Sequence, residues 1–274
     1  MVSTSHEPAP PPPPLLIIGC GHVGRTLLRR AISQGRRVIA TTRDPQRLDA
    51  LRAAGAEPWL MSAPGVLPDG PFDAIVTYPP DPDTDAAVAD HLREHARRSV
   101  YISSTGVYGR RGGLVDDTTA TDPDDPRAAR RLAAERRFRD AGAVVLRAPG
   151  IYGPESGLHL RLRAGRYRIV GDGSRHVSRI HVQDLAALCE AALQRGAPGA
   201  AHVVGDLLPT PQREPVDWLC ERLNLPTPPS TPLDQAHATL RNDRRVDPRG
   251  ALSELGVSLR HPTYREGYGA ILDS

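Results

Sequence analysis

The chain has 274 residues, 39% apolar and 24% charged, with aromatics at only 4%, so a globular core must be built mostly from Leu, Val, Ile and Ala. A formal charge of +3, from 35 basic against 32 acidic residues, is too small a surplus for a nucleic-acid-binding stripe. No apolar run reaches the ~18 residues that a membrane helix needs, so neither nucleic acid nor membrane is expected as a partner.

The elements alternate from the start. Residues 1–13 are polar and proline-rich and read as a disordered tail, with Pro10 through Pro14 extended. Leu15-Leu16-Ile17-Ile18 reads as a buried parallel strand. A helix follows with Val23, Leu27, Leu28 and Ile32 on one face, and it stops near Gly35. A second strand covers 37–41, and Asp44-Pro45 reads as an N-cap with proline at the first helical position. A weak third strand falls at 58–61 and a fourth at 74–77. A helix over 84–97, a fifth strand at 100–103, a helix over 127–140 and a sixth strand at 143–146 complete the rhythm. Strands alternating with helices of this length mean βαβ units and a parallel, doubly wound α/β sheet of Rossmann type.

The rhythm breaks after Pro149. Residues 14–150 are therefore assigned to a dinucleotide-binding region. Residues 151–274 are assigned mostly to a small substrate lobe, interleaved with the last strands of the sheet.

Gly19-Cys20-Gly21-His22-Val23-Gly24 is a GxGxxG placed directly after a strand and opening a helix. The first glycine permits the tight turn, the second lets the backbone approach a pyrophosphate, and the third lets helix and strand pack closely. The helix N-terminus then supplies free N–H groups and partial positive charge. At the end of the second strand, where NAD binders place an acidic acceptor for the ribose hydroxyl, the chain has Thr41-Thr42-Arg43. Arg43 can pair with a 2′-phosphate, aided by threonine hydroxyls such as that of Thr42, and Asp44 suits capping better. The expected cofactor is NADP, with NAD as the alternative.

From Tyr101 onward the chain resembles a known family. Tyr101-Ile102-Ser103-Ser104-Thr105-Gly106-Val107-Tyr108-Gly109 is similar to the fifth-strand segment of extended short-chain dehydrogenases/reductases, the group of the NAD-dependent epimerases and dehydratases. Arg147 to Pro154 (RAPGIYGP), Gly171-Asp172-Gly173-Ser174, Ile180 to Ala186 (IHVQDLA) and Pro262 to Gly267 resemble its later segments, in order, over nearly the whole chain. The resemblance implies that Ser104, with Thr105 as substitute, hydrogen-bonds a reacting carbonyl or hydroxyl. It also implies that Ser103, Thr77, Tyr78, Pro79, Pro149 and Ile151 lie along the cofactor with Gly19, Gly21, His22, Val23, Gly24, Thr42 and Arg43. His181 and Asp184 would orient the turn into the next helix, Asp184 as a cap. Members often dimerise through the helices after strands four and five, which makes a homodimer the implied assembly.

One family feature is absent. The catalytic pair is Tyr-x-x-x-Lys, and this chain has no lysine. Aligning on Leu132-Ala133-Ala134-Glu135 puts Arg127 at the tyrosine position and Arg131 at the lysine position. Arginine keeps its protons at neutral pH, so Arg127 is a poor proton shuttle. Tyr108 is a candidate replacement, although packing under the strand is its blander role. Epimerases of the group also place an arginine after GDGS to hold a nucleotide diphosphate, where this chain has Val177.

Other patterns point to less. Cys20, Cys189 and Cys220 are too few and too scattered for a disulfide framework. His91-Leu92-Arg93-Glu94-His95 matches a zinc-peptidase pattern, but a solvated helix face explains it, and no metal site is expected. With no basic-then-apolar leader, the expected location is cytoplasmic. Together these readings describe an NADP-dependent oxidoreductase or epimerase-like enzyme with an atypical active site, acting on a small-molecule substrate. The alternative is a non-catalytic NADP-binding sensor.

Overall fold

The computed structural model describes residues 12–236 and 241–274. The first eleven residues, which hold most of the expected tail, lie outside the described residues. Pro13 and Pro14 are already engaged: the Pro13 carbonyl accepts from Arg36 Nε at 2.9 Å, and the Pro14 carbonyl accepts from the Asp73 amide at 2.9 Å.

The Rossmann core runs β1 (Leu15–Ile18), α1 (His22–Ser33), β2 (Val38–Thr42), α2 (Leu48–Ala53), β3 (Glu57–Leu60), β4 (Phe72–Val76), α3 (Pro82–His95), β5 (Ala96–Ser104), α4 (Pro126–Asp140) and β6 (Val144–Ala148). After an excursion carrying α5 (Leu158–Arg163), the chain returns through α6 (Val182–Arg195) to β7 (Ala201–Val203). It then adds α7 (Arg213–Leu223), α8 (Arg249–Leu255) and α9 (Tyr264–Leu272). The sheet order is β3-β2-β1-β4-β5-β6-β7, every pairing parallel. The order reverses between β1 and β4, and ligands of such sheets bind beyond the carboxyl ends of the strands at that point.

Alternation along β1 divides the core. Leu15 and Ile17 face a cluster with Leu27, Leu28, Leu185 and Leu188 from α1 and α6. Leu16 and Ile18 face one with Val88, Leu92, Ala134 and Phe138 from α3 and α4. The arginine-rich α4 buries only Ala128, Ala134, Glu135 and Phe138, the last stacked on Tyr101 at 4.4 Å. Its start is set by Asp125, whose Oδ1 accepts from the amides of Arg127 and Ala128, with Pro126 at the first position. A separate cluster of Tyr152, Leu162, Tyr167, Ile169, Val216, Leu219, Tyr264 and Tyr268 packs residues after 150 together and holds most of the chain's tyrosines.

Two local expectations change. The helix expected over 84–97 ends at His95 because Ala96 is already extended, and β5 begins there, four residues before the expected strand. The cap of α6 is His181, whose Nδ1 accepts from the Gln183 amide at 3.3 Å, not Asp184. The Asp184 carboxylate instead accepts from the amides of Arg260 (2.7 Å) and His261 (3.0 Å), tying the C-terminal segment to α6. Asp44 caps the turn after β2 as expected, accepting from the Gln46 amide at 3.0 Å. No helix among the described residues is long and apolar enough to cross a membrane.

Candidate functional site

Gly19 has φ +93° and cannot carry a side chain. A Cβ there would lie 3.1 Å from Thr77 Oγ1 and 3.3 Å from the Tyr78 backbone nitrogen. At Gly24 a Cβ would strike the Gly19 carbonyl oxygen at 2.6 Å. Gly21 differs: nothing lies within 4 Å of its would-be Cβ. That open space sits at the entrance to α1, which has no side-chain cap and no acidic residue in its first turn. The first amides of α1 are thus left facing a cradle that a Cβ would fill, which fits the pyrophosphate of a dinucleotide.

The surroundings hold the turn rigid. Thr41 Oγ1 accepts from the Gly19 amide at 3.1 Å, and Thr77 Oγ1 donates to the Gly19 carbonyl. Arg47, unremarked in the sequence, reaches back from the turn after β2 and donates to the Cys20 carbonyl at 3.0 Å, placing a second guanidinium beside the cradle. His22, the first residue of α1, has both ring nitrogens buried without a hydrogen-bond partner among the described residues. Burial lowers its pKa and keeps the ring neutral. Gly153, from the loop after β6, packs over it: a Cβ there would meet His22 Cε1 at 3.3 Å and Val182 Cγ1 at 2.5 Å. Glu155 of the same loop is clamped to α1 by Arg25 (2.5 Å) and Arg29 (3.0 Å). Val23 is half-buried against the core.

Arg43 lies at the end of β2 with its side chain 60% exposed, 3.4 Å from Asp81 Oδ2. It borders a cavity of about 210 Å³ with Pro45, Leu60, Met61, Ser62, Ala63, Pro64 and Thr84. Two hydroxyls expected near the cofactor are spent inside the protein. Thr42 Oγ1 is paired with the backbone of Asp44, and Thr77 Oγ1 supports the glycine turn. Tyr78 is buried beside Gly19 with its hydroxyl unpartnered, and burial raises its pKa.

β1, β4 and β5 are adjacent, so the carboxyl end of β5 opens onto the same edge as the glycine turn. Ser103 is buried there with Oγ unpartnered. Ser104 Oγ accepts from the Gly106 amide at 3.1 Å and keeps its own proton uncommitted. Arg131 reaches the same spot from α4. A Cβ on Gly106 would lie 3.1 Å from Arg131 Nε and 3.4 Å from Ser104 Oγ. Arg127 is exposed one turn earlier on the same helix face. Thr105 is buried, and its carbonyl accepts from Arg244 Nη1 at 2.6 Å. Arg244 also donates to the carbonyls of Gly109 (2.8 Å) and Arg111 (3.1 Å), so one buried guanidinium pins the whole loop after Ser104. Pro149 and Ile151 are half-buried at the end of β6 and in the segment that follows it.

Tyr108 does not reach the cleft. It is fully buried and its hydroxyl accepts from Arg147 Nη1 at 3.2 Å, while Arg147 is itself paired with Glu135 at 2.9 Å. The expected catalytic role of Tyr108 is thus replaced by a structural one, packing under the strand and bonding Arg147. A cavity of about 490 Å³ bordered by Glu135, Arg136, Arg139 and Arg147 runs along another flank of α4, with this closed ion pair in its wall. The His91 and His95 rings lie 4.3 Å apart, and His91 Nε2 is bonded to the Pro68 carbonyl. Arg179, near the missing diphosphate arginine, is buried and donates to Thr210 Oγ1 at 3.0 Å.

The geometry agrees with what the chain is similar to. Residues 14–103 match the profile of the family described as NADP oxidoreductase coenzyme F420-dependent, and residues 84–205 match that of the NAD dependent epimerase/dehydratase family. A functionally unknown conserved protein from Silicibacter pomeroyi DSS superposes with a TM-score of 0.82 at 34% identity, covering 95% of this chain and 98% of that one. A 3-diazoavenalumate denitrifying reductase from Streptomyces sp is 29% identical over 64% of this chain and 64% of its own length. A 2-alkyl-3-oxoalkanoate reductase from Stenotrophomonas maltophilia (strain K279a) is 31% identical over 52% of this chain and 50% of its own. The chain thus matches less than two thirds of the length of either curated relative. Over residues 84–205 it thus matches the NAD-dependent epimerase/dehydratase family, on a Rossmann fold and in a chain with no lysine.

Proposed function

We propose that this protein is an NADP-dependent reductase of a small carbonyl compound. The observation that carries the reading is the meeting of Ser104 Oγ and the Arg131 guanidinium at Gly106, on the strand edge that also bears the glycine turn. The two curated relatives named above are both reductases.

Gly19 to Gly24 and the amides of α1 hold the pyrophosphate. Arg43 holds the 2′-phosphate, exchanging its exposed, weak contact with Asp81 for a charge-assisted pair. When bound, the reduced nicotinamide supplies a hydride to the carbonyl carbon of the substrate. Ser104 donates its free proton as a hydrogen bond to the carbonyl oxygen, and Arg131 holds the negative charge that develops there. A guanidinium is a hydrogen-bond donor and not a proton shuttle, so water supplies the proton that completes the alcohol. Stabilisation of the oxyanion thus takes the place of the missing tyrosine acid.

The test is NADPH oxidation with a carbonyl panel. Ser104→Ala and Arg131→Ala should each lower turnover by about 10²-fold or more while NADPH binding persists. Tight NADPH binding with no turnover of any carbonyl would replace this reading with a non-catalytic nucleotide sensor.

A further inference from the structure

We propose that Arg127 is a specificity determinant that selects substrates bearing a carboxylate one or two carbons from the reacting carbonyl. The proposal rests on the reductase reading of the Ser104 and Arg131 site. Arg127 and Arg131 stand four residues apart on α4, so their stems leave one helix face about 5–6 Å apart at Cβ. Arg131 Nε comes within 3.1 Å of where a Cβ on Gly106 would lie, beside the Ser104 turn. A carbonyl oxygen held by Ser104 and Arg131 therefore places the neighbouring atoms of the substrate under Arg127. Among the described residues neither arginine has a carboxylate within ion-pair distance, unlike the pairs that Arg25, Arg29 and Arg147 make. The acidic group closest in sequence, Asp125, turns its Oδ1 onto the amides of Arg127 and Ala128. Elsewhere on the same helix, Arg137 and Arg139 are committed to the carbonyls of Pro82 and Gly199.

A planar guanidinium with no internal partner, one turn from a second that holds the carbonyl oxygen, has the geometry for a carboxylate. The anion must sit close to the carbonyl, because only one helical turn separates the two heads. The class that fits is a 2-oxo or 3-oxo acid. The cofactor's own phosphates are taken up at the glycine turn and Arg43, which leaves Arg127 free for the substrate.

The experiment separates binding from turnover. Calorimetry on the NADP-loaded protein compares 3-hydroxybutanoate, 3-hydroxyoctanoate and 3-hydroxydodecanoate with their methyl esters, in the wild type, Arg127→Met and Arg136→Met. Arg136 is exposed on the same helix but on the side turned away from Arg127, and its variant removes the same unit charge. At one chain length or more the acid should bind at least about tenfold tighter than its ester, the size of a charge-assisted contact. Arg127→Met should abolish that difference and Arg136→Met should keep it. Equal binding of acid and ester, no binding of any acid, or a preference that survives Arg127→Met would overturn the proposal. NADPH oxidation with the matching 3-oxo acids is then read separately. Acid-selective binding without turnover sinks the reductase reading and leaves the carboxylate site standing.

Discussion

Arg131 Nε and Ser104 Oγ converge on Gly106, 3.1 Å and 3.4 Å from the point where a Cβ would be. The glycine is what lets a guanidinium from α4 reach the end of β5. Gly106→Ala should displace Arg131 by a few tenths of an ångström and lower kcat with little change in NADPH affinity. Steady-state kinetics beside calorimetry check this, and an unchanged kcat would mean the pairing has no role in turnover.

The glycine cradle is equally intolerant. In Gly24→Ala the new methyl would meet the Gly19 carbonyl at 2.6 Å, a backbone contact that cannot yield cheaply. The expected result is a destabilisation of roughly 1–3 kcal/mol and lost nucleotide binding. Thermal melts with and without NADP would show it as a lower Tm and no ligand-induced rise.

Glu135 and Arg147 form a buried pair, 2% and 8% exposed at the side chain, so removing one partner strands the other. Glu135→Ala should cost about 3–5 kcal/mol, while Glu135→Met with Arg147→Met should be milder than either single change. Tyr108→Phe, which removes only the hydroxyl bonded to Arg147, should cost about 1 kcal/mol and leave turnover intact. Urea denaturation and initial rates check both statements. A large loss of turnover in Tyr108→Phe with the fold intact would return that residue to the catalytic list.

Asp206 is 1% exposed, with Oδ2 unpartnered, and burial pushes its pKa up to about 7. A carboxyl raised in the folded state binds its proton more tightly there than in the unfolded chain. Its stabilising contribution is full below the ordinary carboxylate range and is lost as pH rises towards about 7. His181, pushed down to about 3 by burial and by His261, works the other way and costs stability as pH falls below the usual histidine range. Asp206→Asn should therefore remove the decline between about pH 4 and 7 and raise stability at pH 8. Urea melts at pH 5 and pH 8 compare the two proteins, and parallel pH profiles would refute the assignment.

Much of the fold was legible because a strand buried on both faces reads as a continuous apolar run. β1, the centre of β5 from Val100 to Ile102 and the start of β6 are short apolar runs, and the turn after β1 carries its own glycines. β7 was missed because Ala201–Val203 is three residues long and follows an irregular segment, so it has no period to read. The glycine turn and Ser104 were legible from spacing and resemblance. Arg47 and Arg244 were not: each acts by donating to backbone carbonyls, and an arginine in an arginine-rich chain gives no signal of that role. Tyr108 misled for the opposite reason, since its distance along the chain from Ser104 says nothing about which side of the strand it enters.

The central claim is that the turn at Gly19 to Gly24 binds a pyridine dinucleotide and that Arg43 makes it prefer the 2′-phosphate. Calorimetry with NADP, NADPH, NAD and NADH on the wild type and on Arg43→Ala tests it directly. The account predicts tight NADP(H) binding, weaker NAD(H) binding, and a loss of at least about tenfold for NADP(H) alone in the variant. No binding of any of the four nucleotides would contradict it and take the reductase reading down as well.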